Sequence, residues 1–270
     1  MFTVSIIIPN YNKEKHISKC IESVLEQDYL GIIEVIIVDD CSTDNSRRII
    51  EELAKDAPII KCIFLDKNER VSNARNVGIF SANGDYITCL DSDDYYGNKH
   101  KISNEMKVIE SAAIKKRNVI SYSYHNLCSF DGKTIVENKH KNNWYLEGNI
   151  YFSLVCDLNS QKVMRDYIVK RETIISVGGY NKNNSLFEDY ELLLKLAKKC
   201  KFKCTYELGT IYRDSINGLS KRPKNELLAW KEKIIDEEIH HNSFLKRVVF
   251  TFVKSIVFMV RRRRNSSNES

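Results

Sequence analysis

Apolar residues in the first hundred positions fall into two alternating rhythms. A short β-branched run at 4–8 (Val4-Ser5-Ile6-Ile7-Ile8) stops at Pro9-Asn10 and predicts a buried strand. Ile17, Cys20, Ile21, Val24 and Leu25 follow at helical spacing, with Asn12 as the expected N-cap. Strand patterns at 34–38, 59–65 and 86–90 alternate with helix patterns, one carrying Ile49, Ile50, Leu53 and Ala54 after Ser42-Thr43-Asp44, the other spanning 71–82. Strands alternating with helices predict right-handed crossovers and an α/β fold. Its sheet is Rossmann-like, mostly parallel and flanked by helices on both faces.

After residue 100 the rhythm loosens. A helix through Ile102, Met106, Ile109 and Ala113 leads to an apolar run at 119–128 and a hairpin turn at Asp131-Gly132. Residues 137–160 carry no clear period. Strand-like residues at 163–169, a turn at Gly178-Gly179, a helix over 188–199, short strands flanking Gly209 and a helix over 226–239 complete the body. From Phe244 to Val260 a helical winding places Val249, Phe252, Val253, Ile256 and Val260 on one apolar side, and four arginines close the segment. The apolar stretches between its charges are shorter than the ~20 residues a membrane span needs.

Charge sharpens this division. The chain of 270 residues has a net charge of +6, yet Lys246, Arg247, Lys254 and Arg261 to Arg264 supply seven positive charges within residues 239–264, where no acid occurs. The remainder holds 35 basic and 36 acidic residues. A basic character confined to one tail argues against a nucleic-acid-binding surface. It suits an interfacial helix on an anionic leaflet, with a core or dimer helix as the plainer alternative. Met1-Phe2-Thr3 runs directly into a strand, so no secretory signal is expected. The eight cysteines include no C-x-x-C pair, which favours reduced thiols in a cytosolic setting over disulfides or zinc.

Ligands of open α/β sheets bind beyond the carboxyl ends of the strands. Three strands here end in polar clusters: Pro9-Asn10-Tyr11-Asn12, Asp39-Asp40 and Asp91-Ser92-Asp93-Asp94. Asp91 and Asp93 share a side of an extended segment and offer hard oxygen ligands for Mg²⁺ or Mn²⁺. An isolated D-x-D would more often be a solvated turn, but the apolar strand before it and the acidic strand end beside it favour the metal. A P-loop and a G-x-G-x-x-G turn are both missing, so a bound diphosphate would need metal and basic side chains, with Arg75 the candidate. Glu188 and Asp189 open a helix, where they either cap it or accept a proton from an attacking hydroxyl.

With these residues assembled, the chain resembles the family 2 glycosyltransferases of the GT-A fold, of the bacterial surface-polysaccharide type. VSIIIPNYN, EVIIVDDCSTD, ARNVG, GDYITCLDSDD, VGGY and FEDYELLLKLA stand in the family's order, over about 1–97 and 165–200. The resemblance implies an inverting transfer from a UDP-sugar to an acceptor hydroxyl, aided by Mn²⁺ or Mg²⁺. It places Pro9 and Tyr11 at the nucleobase, Asp39 on the uracil edge, and Asn68 and Arg75 in the nucleotide pocket. Asp91 and Asp93 would meet ribose and the diphosphate-bound metal. Asp189 would be the general base, with Glu188 beside it near the acceptor. Three positions depart from the pattern: Cys41 and Arg70 stand where Gly is common, and Tyr212-Arg213-Asp214-Ser215 lacks a His, leaving Arg213 or Lys221 to stand in.

The expected organisation is a nucleotide-sugar half at 1–97, an acceptor half of the same domain at 98–240, and a basic amphipathic membrane tail at 241–270. The expected partners are a UDP-sugar donor, a glycan or lipid-linked oligosaccharide acceptor for O-antigen, capsule or lipooligosaccharide synthesis, and the inner face of the cytoplasmic membrane, with no nucleic acid. The expected location is cytoplasmic, peripheral to that inner leaflet. A nucleotidyltransferase making a sugar nucleotide, and a noncatalytic sugar-nucleotide-binding subunit, are the competing functions.

Overall fold

A computed structural model describes residues 1–137, 145–158, 163, 165–184, 186–214 and 222–267; in the last helix it describes side chains through Met259 and that of Arg261. Trp144, Ser215 and Lys221 lie outside the described residues.

The first half alternates as its apolar rhythm requires: β1 (Val4–Asn10), α1 (Ile17–Leu25), β2 (Ile32–Asp39), α2 (Ser46–Asp56), β3 (Ile60–Phe64), α3 (Arg70–Ser81) and β4 (Tyr86–Cys89). The sheet order is β3-β2-β1-β4, all parallel, and β8 (Val169–Lys170) adds an antiparallel edge beside β4. Every residue of β1 is buried because both faces are covered. Ile7 points with Ile36 and Val38 into the core that holds Ala74 and Ile79 of α3. Ile6 and Ile8 point the other way, against Ile17, Cys20, Ile21 and Val24 of α1. Helix α3 lies so close that a Cβ at Gly78 would collide with Ile7.

A second sheet, ordered β5-β9-β6-β7, extends the fold. It comprises β5 (Tyr95–Tyr96), β6 (Val119–Cys128), β7 (Ile135–Val136) and β9 (Lys201–Arg213). The hairpin at Asp131-Gly132 forms between β6 and β7, with Gly132 at φ 73°. Helices α4 (Lys101–Ile114), α5 (Tyr151–Val155), α6 (Arg171–Ser176), α7 (Glu188–Ala197), α8 (Lys224–His240) and α9 (Phe244–Ser267) fill in around both sheets.

Several sequence expectations change. Helix α1 starts at Ile17 behind His16, and Asn12 instead sits at φ 51° and accepts the Thr43 amide at 2.8 Å. Within 163–169 the described strand pairing is confined to Val169, with a bridge from Ile168 to Ser121. The short strands around Gly209 are one continuous strand, β9, which pairs with β6 in parallel and with β5 in antiparallel fashion. On α9, Val253 turns inward to the core rather than joining the outer side, and the Val260 side chain lies outside the described set. Lys254 is buried, with its ammonium 2.6 Å from Asp236 and 3.4 Å from Glu232, and Arg261 also turns to the body, pairing with Asp157, so neither faces outward as the charge pattern of the tail suggests. All eight cysteines are free thiols. Among the described residues no helix is long and apolar enough to cross a membrane.

Candidate active site

The strand order reverses direction between β1 and β4, and the carboxyl ends of these strands meet at the crevice where open sheets bind ligands. Pro9 is buried at the end of β1 opposite Val38, and Asn10 pairs with Asp39. The Asp39 carboxylate is 2% exposed and accepts Asn10 Nδ2 at 2.7 Å, the Ser42 hydroxyl at 2.6 Å and the Ser42 amide at 2.9 Å. These donors hold it in one orientation with acceptor capacity left, since a carboxylate offers about four lone-pair sites. The Asn10 Oδ1 beside it is buried without a hydrogen-bond partner among the described residues. Asp40 accepts the Glu69 amide at 2.8 Å and so ties down the start of α3. Tyr11 presents its ring 44% exposed at the lip, whereas Asn68 lies on an exposed turn where its side chain caps the Arg70 amide at 3.3 Å.

Arg75 joins the two ends of the candidate site. Far from being an exposed helical arginine, it is 5% exposed, with Nη2 2.7 Å from Asp91 Oδ1 and Nη1 2.8 Å from Glu188 Oε1. Its guanidinium lies 5.0 Å from the Tyr180 ring centroid. Arg165 holds the other oxygen of Asp91 at 3.1 Å and Asp94 at 2.7 Å. Burial alone would raise the Asp91 carboxyl, but Arg165 and Arg75 hold it well below the usual carboxylate range. Asp94 carries less compensation, and burial pushes it up to about 7 despite Arg165. Burial likewise raises Glu188, with Arg75 opposing and the neighbouring Asp189 reinforcing the shift.

Asp189 occupies the first turn of α7, and one of its oxygens accepts the Tyr190 amide at 2.7 Å. Its charge is felt by Tyr167, by Tyr180 and by Lys231. Tyr180 also feels Arg75, so Asp189 shares with the Asp91–Arg75–Glu188 bridge one aromatic neighbour. The residue before this acid pair, Phe187, has φ 58°. A bulky side chain in the left-handed region is strained, and such strain concentrates at functional sites. Asn12 (51°), Cys41 (62°) and Arg70 (72°) share that conformation around the same crevice. Cys41 and Arg70 are the two positions where the family pattern favours glycine, and the backbone accounts for that preference.

No cluster of three His, Cys, Asp or Glu side chains able to cage a metal occurs among the described residues. A cation shared with phosphates needs only one or two protein carboxylates. Both oxygens of Asp91 already face guanidinium groups. Asp93 differs: its side chain is 21% exposed, and its carboxylate is held by the flexible ammonium of Lys13 at 2.6 Å. Its chemistry therefore fits a divalent cation that also binds a diphosphate.

Sequence reasoning missed Lys13 and Arg165, since a lone cation beside a loop carries no motif. Beneath Arg165 lies the Tyr212 ring, 4.7 Å away, and the Tyr212 hydroxyl donates to Asp166 at 2.7 Å. The fully buried Lys101 donates to the Asp166 carbonyl at 2.6 Å. Arg213 donates its amide to Asp94 at 2.8 Å and its Nε to the Asp93 carbonyl at 3.1 Å. That guanidinium thus braces the carboxylate turn from the segment where the histidine is missing.

Comparison with known proteins gives a family and a fold. The family model described as Glycosyl transferase family 2 matches residues 5–146. A glycosyltransferase of Haemophilus influenzae is 33% identical over 175 residues, covering 63% of this chain and 68% of its own. The Escherichia coli protein WfaP, a UDP-Glc:alpha-D-GlcNAc-diphosphoundecaprenol beta-1,3-glucosyltransferase, is 32% identical over 252 residues, covering 89% of this chain and 90% of its own. Among solved structures, residues 1–349 of Staphylococcus aureus TarS in complex with UDP-GlcNAc superpose with a TM-score of 0.68 at 19% identity, over 93% of this chain and 70% of that one.

Proposed function

Because the chain belongs to glycosyl transferase family 2 and has the GT-A fold, we propose that it is an inverting enzyme moving a hexose from a UDP-sugar to an acceptor hydroxyl during assembly of a bacterial surface glycan. The observation that carries this reading is the Arg75 bridge, which brings the Asp91 strand end and the Glu188-Asp189 helix start to one guanidinium.

In this reading Tyr11 stacks on the base, Pro9 borders it, and the pre-oriented Asp39 accepts the uracil N–H. Asn68 and Arg75 line the nucleotide pocket, and Asp91 meets the ribose. Asp93, with Asp91 behind it, is the residue to hold Mn²⁺ or Mg²⁺. Such a cation, when bound, neutralises the negative charge that builds on the departing diphosphate. Asp189 takes the proton of the acceptor hydroxyl as that oxygen attacks the anomeric carbon from the face opposite UDP. Glu188, anchored by Arg75, fixes the start of α7 and borders the acceptor. Attack from the opposite face inverts the anomeric centre.

We assign residues 1–97 to donor binding, 98–240 to the acceptor half and 241–270 to membrane attachment. The outward side of α9 supports the last assignment. Leu245, Val248, Val249, Phe252, Ile256 and Met259 are exposed at helical spacing, while Phe250 and Phe258 are buried against the body. An apolar stripe with basic residues at both ends matches an anionic lipid surface, which also presents a lipid-linked acceptor. A panel of nucleotide sugars with Mn²⁺, scored for UDP release with and without undecaprenyl-diphosphate-linked acceptors, tests the reading. Acceptor-dependent UDP release is expected; release of pyrophosphate from a nucleoside triphosphate and a sugar phosphate would overturn it.

A further inference from the structure

We propose that Lys13 alternates between two partners in the donor site: the Asp93 carboxylate, which it holds in this structure, and the donor diphosphate, to which it moves when a divalent cation takes Asp93. The inference rests on the reading of Asp93 as the cation-holding carboxylate.

Of the three acids at 91–94, only Asp93 lacks a guanidinium on its carboxylate among the described residues. Asp91 lies on Arg75 and Arg165, and Asp94 on Arg165 and the Arg213 amide. A lysine ammonium is a point charge on a flexible stem, easier to displace than a planar, forked guanidinium. The Lys13 ammonium stands 2.6 Å from Asp93 Oδ2. A Mg²⁺-sized ion binds a carboxylate oxygen at about 2.0–2.1 Å, so the two cations compete for that oxygen.

The backbone of Lys13 does not follow the displaced ammonium. Its amide donates to Ser46 Oγ at 3.0 Å, and its carbonyl accepts the His16 and Ile17 amides at 2.8 and 2.9 Å. Only the stem moves, and its side chain is already 36% exposed. Neighbouring carboxylates are engaged elsewhere. Glu14 accepts both Asn45 groups, and Asp44 accepts the Glu14 and Ser46 amides. Asp91 and Asp94 add negative charge beside Asp93, but their carboxylates are already taken by Arg75 and Arg165, and Arg213 and, when protonated, His16 add positive charge. The anion within reach of the freed ammonium is then the phosphate bound to the same metal, where it forms a charge-assisted hydrogen bond. The exchange keeps Asp93 paired before the donor arrives and adds a positive charge at the diphosphate afterwards.

The test uses the full chain carrying Lys13→Met or Lys13→Gln, with Asp93→Asn as reference, and thermal melts to verify folding. Mn²⁺ alone is titrated by electron paramagnetic resonance, and UDP is titrated calorimetrically at saturating Mn²⁺. Both lysine variants are expected to bind Mn²⁺ about two- to fivefold more tightly than wild type, the range set by loss of one partly exposed competing ion pair. They are expected to bind UDP about tenfold more weakly, from loss of one charge-assisted hydrogen bond. A purely structural lysine would move both affinities in the same direction. Mn²⁺ affinity that depends on Asp93 but is unchanged or weakened in both lysine variants overturns the exchange alone, as does undiminished UDP affinity. Mn²⁺ binding that is absent, or indifferent to Asp93→Asn, overturns the underlying metal reading and the exchange with it.

Discussion

Asp91 and Glu188 sit on the two terminal nitrogens of one buried guanidinium, 2.7 and 2.8 Å from Arg75. A strand end and a helix start that are distant in sequence are thereby fixed in one site. Replacing Arg75 with Met leaves the largely buried Glu188 without its cation and Asp91 with Arg165 alone, a loss of about 3–5 kcal/mol for a broken buried pair. Arg75→Lys keeps the charge but cannot span both acids. Melting temperature should fall in both variants, more in Met than in Lys, and transfer should fall steeply in both.

Asp189→Asn preserves the shape of the first turn of α7 and its contact with the Tyr190 amide. Loss of a general base costs typically 10²–10⁴-fold in rate. The expected outcome is a kcat reduced by about that factor, with UDP affinity by calorimetry within about twofold of wild type. Retained kcat would remove Asp189 from the role of base.

Cys41 at φ 62° and Arg70 at φ 72° hold a conformation that glycine adopts without a Cβ penalty. Glycine also adds entropy to the unfolded chain, which offsets part of the gain. Cys41→Gly and Arg70→Gly are each expected to raise stability by about 0.5–1 kcal/mol, read from urea midpoints.

Glu34 offers a pH test at the end of the sheet opposite the site. It accepts Ser5 Oγ at 2.7 Å, Lys61 Nζ at 2.5 Å and the Asn83 amide at 2.5 Å. Burial pushes its carboxyl up, but Lys61, Ser5 and Asn83 together outweigh burial and bring it down to about 2. A depressed folded value means that the unfolded chain binds the proton more readily, so this stabilisation is complete above about pH 4.5 and is lost as pH falls toward 2. Glu34→Gln should be clearly less stable than wild type at pH 6–7 in urea denaturation. The difference between them should shrink progressively below pH 4.

The outer stripe of α9 gives a further prediction. Phe252→Ser combined with Ile256→Ser removes two exposed apolar residues, 67% and 47% exposed, without touching Phe250 or Phe258. Sedimentation with phosphatidylglycerol vesicles should fall severalfold, while acceptor-independent UDP release stays unchanged. Binding to neutral vesicles should be weak for both proteins, and high salt should weaken the anionic case.

Local rules made the first hundred residues legible. Strands such as β1 and β2 are covered on both faces and appear as nearly continuous apolar runs, interrupted by Ser5 and Glu34, while α1 and α2 display a clear helical stripe. The acids at 39, 91, 93, 188 and 189 are legible because they stand at element ends, where side chains can project past the backbone. The second sheet was less legible. β5 and β7 have two residues each, too few to show a period, and β9 mixes exposed and buried positions along 13 residues. Tertiary distance hid Arg165 and Lys13, whose partners are 71 to 80 positions away. For α9 the pattern showed one apolar side; the structure divides its apolar residues between the body and solvent.

Strand β5 runs antiparallel to the far end of β9, through Tyr95 opposite Ile211 and Tyr96 opposite Thr210. The acidic turn just before it is stitched to the closing strand of the second sheet. Chimeras that exchange acceptor preference between relatives should therefore place their late junction beyond Arg213 and carry the 95–96 and 201–213 segments from one parent. A hybrid cut near residue 97 inherits mismatched seams on both sides of the carboxylate turn, and its loss of activity would say nothing about which sugar or alcohol the donor parent prefers.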